Sequence, residues 1–458
     1  MSSRIVMQGR GTFTSAISSA LFLCLFAGPS AVASTDSEFV MAPLPSPEVV
    51  TLERLLNEAL RSNPGLRAKR RAYEAARARV FSAWLPNDPE IGTDVEGQSQ
   101  LFRFDRTDNE YSIVQTVPFP TTLILKGQIA AKDAQIAYQQ YKEEERKVLW
   151  HIEQPYYELF LAKRTRSALE ETQGLAERLT HVVQARYESN QAGQQDLLKA
   201  SIESSKIGIE RYQWNEHVHL AQAHLSHVLD RPLETSYEIP EVARSPAPTF
   251  STTDLEQLAI RVRPELKALE LGIRRAKASR LLAATTWLPD LTGRIEARQF
   301  SGQGHVREYD TFLGITVPVW SLVKGIGGGW KGAGLEVQAA EASYAQMKND
   351  VLLAIHEAYA TMKTADNAVT TYEQSILPQA KQQAEVALAS YEAGRSDLLS
   401  LIDAQRMLKD AQIAYYKFLA NYELGLSDLR VAIGERWEPT IRRAPDATAA
   451  ASPVKGTP

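Results

Sequence analysis

Two long stretches in the last quarter of the chain repeat apolar residues at alternating intervals of three and four. The first contains Val351, Ile355, Ala358, Met362, Ala365, Val369, Tyr372 and Ile376. The second contains Leu401, Ala404, Leu408, Ala411, Tyr415, Phe418 and Tyr422. A sustained spacing of about 3.5 residues is typical of a coiled coil. We therefore predict two long helices that wrap around each other left-handedly.

A third long helix is predicted from about Gly127 to Asn190, where nearly every residue is compatible with a helix. Pro155 should kink this helix, and Pro378 should kink its counterpart in the second half. About 60 residues at ~1.5 Å each give a rod of roughly 90–100 Å. A rod of this length is suited to spanning a compartment rather than to surrounding an active site.

Polar and apolar residues alternate between Trp84 and Pro118 and again between Trp287 and Pro318. Examples are 91–95, 294–299 and 311–317, and a period of two predicts strands with one wet and one dry face. We expect four strands, each about the ~10 residues that a tilted strand needs to cross a bilayer. Four strands alone would leave unpaired edges in lipid, so the chain must share a barrel. Three copies would give twelve strands.

An internal repeat with an offset of about 200 residues connects these elements. Five segments match in order: Leu52–Arg67 with Leu255–Lys267, Trp84–Asn87 with Trp287–Asp290, Thr116–Pro118 with Thr316–Pro318, Lys126–Gly127 with Lys324–Gly325, and Tyr187–Leu198 with Tyr391–Leu399. The repeats are predicted at 51–232 and 254–434, with a proline-containing connector at 233–253. Residues 435–458 are rich in Pro, Ala and Thr and are predicted to be a disordered tail.

The N-terminal residues have the features of an export signal. Arg4 and Arg10 precede an apolar run from Ala20 to Ala27, and Ala31-Val-Ala33 provides a cleavage site. We predict a signal peptide at 1–33 and an N-terminal extension at 34–50. Cys24, the only cysteine, lies in the removed segment and is preceded by Leu23 rather than a small residue, which disfavours lipidation.

Charge and composition exclude some classes of protein. The formal net charge is −4, from 51 basic and 55 acidic residues, and gives no electrostatic reason to expect nucleic acid as a partner. The sequence also lacks a Gly-x-Ser-x-Gly nucleophile motif and a His-Glu-x-x-His metal motif. We expect no catalytic residues and no cofactor.

The repeated motifs resemble those of the TolC-like outer membrane factors over about residues 51 to 434. They are Tyr-Glu followed by Gly-x-x-Asp-Leu-Leu at both turns, Leu401-Ile-Asp-Ala-Gln-Arg406 after the second turn, and Trp-Leu-Pro before both strand pairs. Leu85-Pro-Asn-Asp-Pro-Glu-Ile-Gly92 is similar to the CzcC-like and CusC-like heavy-metal efflux branch, whereas 118–125 departs from the Gly-Gly-Lys-Arg-like stretch of that branch.

The resemblance implies a fold that is mainly α with a small β part. A duplicated helix–strand–strand–long helix–turn–helix repeat would form, as a homotrimer, a 12-stranded transmembrane β-barrel on a long α-helical periplasmic tube. The expected function is that of a passive exit duct in the outer membrane of a Gram-negative bacterium. Its partners would be outer-membrane lipid, a periplasmic adaptor protein and an inner-membrane pump.

The two turns between the long helices are the candidate functional site, because the resemblance places them at the periplasmic mouth that meets the adaptor. Glycine permits the left-handed backbone that reverses a helix, and the following aspartate can cap the next helix. The candidate docking residues are Tyr187, Gly193, Asp196, Leu197, Tyr391, Gly394, Asp397 and Leu398. The alternative is that both turns are ordinary hairpins. A possible acidic pore gate, also implied by the resemblance, is at Asp403, with Ser400 one turn earlier.

Two other motifs have simpler explanations. Gly327-x-Gly329-x-x-Gly332 matches a dinucleotide fingerprint, but no second strand follows to complete a βαβ unit, so a flexible passage from strand to helix is favoured. A cluster of histidines on one helix could contact a metal or sense pH, but a solvated helix face is the better interpretation; these are His217, His219, His224 and His227. The main alternative function is an exported coiled-coil scaffold or adaptor without a membrane barrel.

Overall fold

The computed structural model describes residues 48–96, 108–248, 250–300 and 305–434, all within one structural unit, Ser46–Pro458. The elements of the first half are β1 Glu48–Val49, α1 Leu52–Ser62, α2 Pro64–Ser82, β2 Glu90–Glu96, β3 Asp108–Val117, α3 Pro120–Glu188 and α4 Gln194–Leu229. The predicted signal peptide, most of the N-terminal extension and the tail at 435–458 lie outside the described residues.

The second half repeats this order of elements after a connector that contains β4 Tyr237–Glu238. Its elements are α5 Thr252–Val262, α6 Pro264–Thr285, β5 Leu291–Gln299, β6 Glu308–Ile315, α7 Val319–Lys324, α8 Trp330–Thr371, α9 Leu377–Glu392 and α10 Leu398–Ile433. Two π-helical turns, Gly325–Gly329 and Tyr372–Ile376, join α7 to α8 and α8 to α9. The chain is therefore mainly helical with a small β part, although the exact repeat boundaries stay predictions.

The first helix of each half is two helices rather than the single one predicted. α1 ends at Ser62 and α5 ends at Val262, and the residues that follow them, Asn63 and Arg263, have extended backbone conformations. Pro64 and Pro264 then begin α2 and α6, as expected, because the residue before a proline is disfavoured in a helix. The Asn63 side chain also caps α2 by accepting a hydrogen bond from the backbone N–H of Leu66 at 3.1 Å.

The four predicted strands form one antiparallel sheet in the order β2-β3-β5-β6. Thus β3 of the first half pairs with β5 of the second half, from Asn109 opposite Gln299 to Val117 opposite Leu291. The strand predicted to reach Val317 ends at Ile315, two residues short, just before Pro318. In the described part of the chain, β2 and β6 each have a partner on one side only. A short parallel pair, β1 with β4, was not predicted; it joins the start of the chain to the connector.

The helices form a layer in which α3 is central. The part of α3 that follows the strands packs against α2 and α6, and the part that leads to the turn packs against α4 and α10. α8 contacts α6 and α10. The outer side of α8, like the outer sides of α2 and α4, has no helical neighbour within the described residues. The helical layer is thus open at the same two ends as the sheet.

The main core lies where both halves meet, and it confirms most of the predicted heptad positions. Val351, Ile355, Met362 and Val369 are buried on α8. On α10, Leu401 and Tyr422 are buried, whereas Leu408, Tyr415 and Phe418 are only half-buried. Tyr372 is half-buried and packs against Phe418 with ring centroids 5.5 Å apart. The described residues contain no helix long and apolar enough to cross a membrane.

The two prolines inside the long helices are accommodated differently. α3 continues as an α-helix through Pro155. In the second half, the π-helical turn Tyr372–Ile376 ends just before Pro378, so the predicted irregularity takes the form of a π-turn. A π-turn suits this place, since proline cannot donate the regular helical hydrogen bond and its ring crowds the preceding turn.

Candidate functional site

The two turns between long helices share one backbone structure. In the first turn, the backbone N–H of Gln191 donates to the carbonyl of Arg186 at 2.7 Å, and in the second, that of Arg395 donates to Ser390 at 2.8 Å. This bond closes a Schellman motif, which needs one left-handed residue after the helix. Asn190 provides it in the first turn with φ 59°, and Gly394 provides it in the second with φ 68°.

The sequence pairing of Gly193 with Gly394, and of the segments that follow these two glycines, was therefore wrong by three residues. Gly193 was matched with Gly394, but it has φ −82° and is the N-cap of α4. Its structural equivalent is Asp397, the N-cap of α10, and the equivalent of Asp196 is Ser400. The repeated Gly-x-x-Asp-Leu-Leu motif concealed this shift because asparagine can replace glycine in the left-handed conformation.

The predicted aspartate caps differ for the same reason. Asp397 caps α10: its Oδ1 accepts hydrogen bonds from the backbone N–H of Ser400, at 3.3 Å, and from the Ser400 hydroxyl. These bonds hold the pKa of Asp397 below its usual value. Asp196 lies in the first turn of α4 and makes no capping bond, which corrects the prediction for this residue.

Several candidate docking residues prove to be internal to the turns. Leu398 is 4% exposed and Tyr391 5% exposed, in a cluster with Val183, Ala200, Leu401 and Ile402. The Arg186 guanidinium lies 4.6 Å from the centroid of the Tyr391 ring. A charge at Leu398 would therefore test folding of the turn, and not docking alone.

The apolar side chains exposed around the turns are mostly ones that the sequence analysis did not select. They are Tyr187, Leu198, Ile202 and Leu399, with exposed fractions of 40–55%. Leu399 follows Leu398, and successive helical residues point about 100° apart, so one leucine of the pair is internal and the other is external. The helical phase of the Leu-Leu pair could have revealed this from the sequence. We call these four residues the mouth surface.

Asp403 lies on an exposed part of α10, and a basic side chain lies beside it. Its carboxylate is 3.7 Å from the guanidinium of Arg406, which also makes a two-pronged ion pair with Glu203 of α4. This pair lowers the pKa of Glu203. Ser400, the other gate candidate, is engaged in the cap with Asp397. One turn further along α10, the Lys409 ammonium is 2.9 Å from Glu210 of α4.

These ion pairs lie beside a crevice of about 240 Å³ near the turns. Apolar residues of α3, α4, α9 and α10 line it, including Leu179, Ile207, Leu388 and Ile402. Glu203 and Arg406 were missed because they are 203 residues apart and only the fold brings them together. The contacts connect the helical hairpin of the first half to that of the second.

The sheet has two chemically different faces. One contains the charged residues of its four strands whose side chains the structure describes, all at even-numbered positions: Glu90, Asp94, Asp108, Glu110, Arg294, Glu296, Arg298, Glu308 and Asp310. The opposite face has none. Its apolar side chains are exposed and include Ile91, Ile113, Ile295, Leu313 and Ile315. A strand that alternates in this way separates an apolar environment from a polar one.

The second half of the chain matches the sequence model of a known protein family. Residues 255–435 match the family model described as outer membrane efflux protein. The matched segment covers 181 of the 458 residues. The resemblance to TolC-like outer membrane factors that the sequence predicted is confirmed. No curated protein sequence matches the chain.

Solved structures share the fold of this chain along most of its length. The outer-membrane channel OprN superposes with a TM-score of 0.73 at 17% identity, covering 85% of this chain and 91% of OprN. The CmeC outer membrane channel of Campylobacter jejuni gives 0.72 at 17% identity, covering 84% and 85%. CusC, a protein described as forming a transmembrane channel, gives 0.73 at 16% identity, covering 84% and 92%.

These values do not separate CusC from the other channels, so the heavy-metal branch stays a prediction. The similar structures are described as channels, which agrees with the expectation that this chain is not an enzyme.

The two other motifs do not form sites in the described residues. Gly327 and Gly329 lie in a π-turn, and Gly332 lies on α8, so the glycines do not follow a strand directly as expected. All four histidines lie on α4, and no group of three or more metal-binding side chains occurs among the described positions. His224 lies 3.9 Å from Glu158, and His219 contacts Asn215.

Proposed function

We propose that the chain is the outer-membrane exit duct of a tripartite efflux or secretion system in a Gram-negative bacterium. It acts as a homotrimer whose twelve strands form one barrel in the outer membrane, while the long helices form a periplasmic tube. This proposal rests on one observation: the sheet and the helical layer lack a neighbour at the same two ends. In a trimer, β6, α8 and α9 of one copy would meet β2, α2 and α4 of the next.

Exposed apolar residues support this pairing of copies. α4 carries a stripe of exposed side chains, which are Leu198, Ile202, Ile209, Tyr212 and Leu220. The opposite end of the layer exposes Leu335 and Leu353 on α8 and Val386 on α9. Apolar surface of this extent on helices is typical of an interface. A neighbouring copy would remove both sets from water.

The charge-free face of the sheet distinguishes the duct from a periplasmic scaffold. A scaffold in water would gain nothing from leaving Ile91 and Leu313 exposed on a face without charges. In a barrel this face contacts outer-membrane lipid and the charged face lines the lumen. Transport through the duct is passive, and an inner-membrane pump supplies energy through a periplasmic adaptor.

The first experiment measures assembly and membrane insertion. Purified protein should migrate as a trimer that dissociates on heating, and membranes should retain it through carbonate extraction. Two results would contradict the barrel and favour the scaffold. One is a monodisperse monomer in detergent that keeps the circular dichroism of its β-strands, and the other is release of the protein from membranes by carbonate.

The second experiment tests adaptor docking at the turns, with Leu398 and Leu399 as a matched pair. Leu399→Asp changes an exposed side chain that is not part of the α4 stripe, so export should fall sharply while trimer yield stays near normal. Leu398→Asp should reduce the yield of folded trimer, because it places a charge in the buried cluster. Full export by a Leu399→Asp trimer would remove the docking role.

A further inference from the structure

The helices α2 and α6 concentrate positive charge in a chain whose formal net charge is −4. Together they contain eleven Lys and Arg residues and three Glu residues. All eleven cations are exposed, and only some have an acidic partner. For example, Arg274 lies 2.6 Å from Glu270, and Arg275 lies 2.5 Å from Asp133. Positive charge concentrated on one part of a surface raises the local concentration of anions.

Three of these cations line a groove of about 520 Å³ where α2 and α6 flank α3, which we call the α2–α6 groove. Among its described lining residues, Glu270 is the single acidic one, and its partner is Arg274. Arg77 and Lys267 form no ion pair with any residue that the structure describes. The groove therefore has an excess of positive charge. Its principal lining side chains are Tyr73, Arg77, Tyr138, Lys267, Glu270 and Arg274.

Two tyrosines give the same groove an aromatic surface. The rings of Tyr73 on α2 and Tyr138 on α3 lie with their centroids 5.3 Å apart and their planes tilted by 57°. Tyr138 remains 38% exposed, while Ala134, one turn earlier on α3, is buried and forms part of the groove floor. A tyrosine ring offers a flat apolar surface, and guanidinium and ammonium groups bind carboxylates by charge-assisted hydrogen bonds. The combination suits a ligand with a flat ring and an acidic group.

The position of the groove disfavours three other occupants. At ~1.5 Å per residue, Tyr138 lies about 27 Å along α3 from Pro120, where the strands end, whereas lipid headgroups extend roughly 5–8 Å beyond the hydrocarbon core. The turn after Glu188 lies about 75 Å further along α3, so an adaptor at the turns would not reach the groove. A neighbouring copy would meet the outer sides of α2 and α8, whereas α3 is central in the helical layer.

We propose that the α2–α6 groove is a binding site for a small organic anion that carries a flat ring, such as an aromatic carboxylate. Arg77 and Lys267 bind the acidic group, and Tyr73 and Tyr138 contact the ring. This inference goes beyond the proposed duct, because every lining residue belongs to one chain. The same ligand chemistry could reach the groove from the lumen, as cargo, or from the periplasm outside the tube.

The test is isothermal titration of the full-length protein in detergent with 2-naphthoate, an aromatic carboxylate. The neutral 2-naphthamide and the ring-free acetate are the comparison ligands. Wild type should bind 2-naphthoate saturably, once per chain, and should bind both comparison ligands much more weakly. Raising the salt concentration should weaken binding of 2-naphthoate, because salt screens exposed charges.

Two double variants with the same change of charge separate the groove from the basic helices in general. Arg77→Gln/Lys267→Gln should weaken binding of 2-naphthoate about tenfold or more, because it removes both unpaired cations of the groove. Arg79→Gln/Arg280→Gln is the matched control and should leave the affinity unchanged, since these exposed cations lie on the same helices but do not line the groove. Tyr138→Ala should weaken binding several-fold through loss of the ring contact.

Three results would overturn the site: no saturable binding of 2-naphthoate at millimolar concentrations, equal binding of 2-naphthamide, or equal weakening by the two double variants. If Tyr138→Ala does not fold, the comparison of 2-naphthoate with acetate still decides whether the ring is recognised. A protein that forms no trimer would contradict the duct, whereas its binding of 2-naphthoate would still support the groove.

Single-channel recording then assigns the source of the ligand. If the groove faces the lumen, 2-naphthoate should reduce the conductance of the wild-type trimer in a planar bilayer, and Arg77→Gln/Lys267→Gln should abolish this block. Saturable binding without any block supports a groove on the outer side of the tube.

Discussion

Replacing Gly425 by alanine should force two helices apart. Gly425 lies on α10 where that helix crosses α8, and a Cβ atom at this position would be 2.9 Å from the Met362 Cα and 3.1 Å from its backbone nitrogen. Backbone atoms cannot rotate away, so α8 must move. Residues beside the contact, such as Tyr422 and Leu426, are fully buried and would lose packing.

Two opposing effects determine the size of the change. Overpacking of a tight core costs about 1–3 kcal/mol. Alanine in a helix gains about 1 kcal/mol over glycine. We therefore expect Gly425→Ala to destabilise each chain by roughly 0–2 kcal/mol.

Gly174 and Gly208 provide matched controls, since a Cβ at either position meets nothing within 4 Å in the chain. Alanine at either position should stabilise by roughly 0.5–1 kcal/mol through helix propensity alone. The measurement is the temperature at which the detergent-resistant trimer dissociates, together with thermal loss of helical circular dichroism. The reasoning fails if Gly425→Ala is as stable as the two controls.

Four further results are expected. Val369→Ala, at a position with no exposed area, should cost about 2 kcal/mol in denaturant unfolding by loss of buried methyl groups. At the turns, Gly394→Val should cost about 1–2 kcal/mol because of the left-handed backbone, whereas Asn190→Gly should cost nothing; equal effects on the trimer dissociation temperature would contradict the shared Schellman motif. Arg406→Gln should raise single-channel conductance of the isolated trimer by freeing α10 from Glu203, and adding Glu203→Gln should change little more. Burial raises the pKa of Glu423. The contribution of Glu423 to the free energy of unfolding should therefore be full at pH values below its unfolded pKa, near 4.5, and should be lost as the pH rises through its raised pKa in the folded chain. Glu423→Gln should abolish that part of the pH dependence of unfolding.

The sequence predicted the architecture well because the pattern extends over many residues. A physical period is repeated both in the heptad positions from Val351 to Val369 and in the alternation along the strands. One residue that departs from such a pattern does not change the predicted secondary structure. The division at Pro64 and Pro264 was also visible in the sequence, but the continuous apolar pattern outweighed the known effect of proline on the preceding residue.

The site was less predictable because it depends on single residues. The shift between Gly193 and Asp397 is decided by which residue adopts a positive φ, and Asn190 could not be distinguished from ordinary turn residues by motif matching. The contact of Arg406 with Glu203 joins residues in different halves of the chain, for which local patterns contain no information. The charged face of the sheet required the register, since a shift of one residue would have exchanged the faces.

The junction between β3 and β5 has a consequence for the symmetry of the assembly. Within one chain it joins the two halves, and in the proposed trimer the contact of β6 with β2 of the next copy joins halves in the same way. A protein made of single halves would need six copies to close the ring, whereas the duplicated chain needs three. Covalent fusion thus replaces sixfold by threefold symmetry, and neighbouring halves are free to diverge. The two turns already differ, with Gly193 capping one helix and Asp397 the other, so a partner ring at the mouth would meet two kinds of contact in alternation.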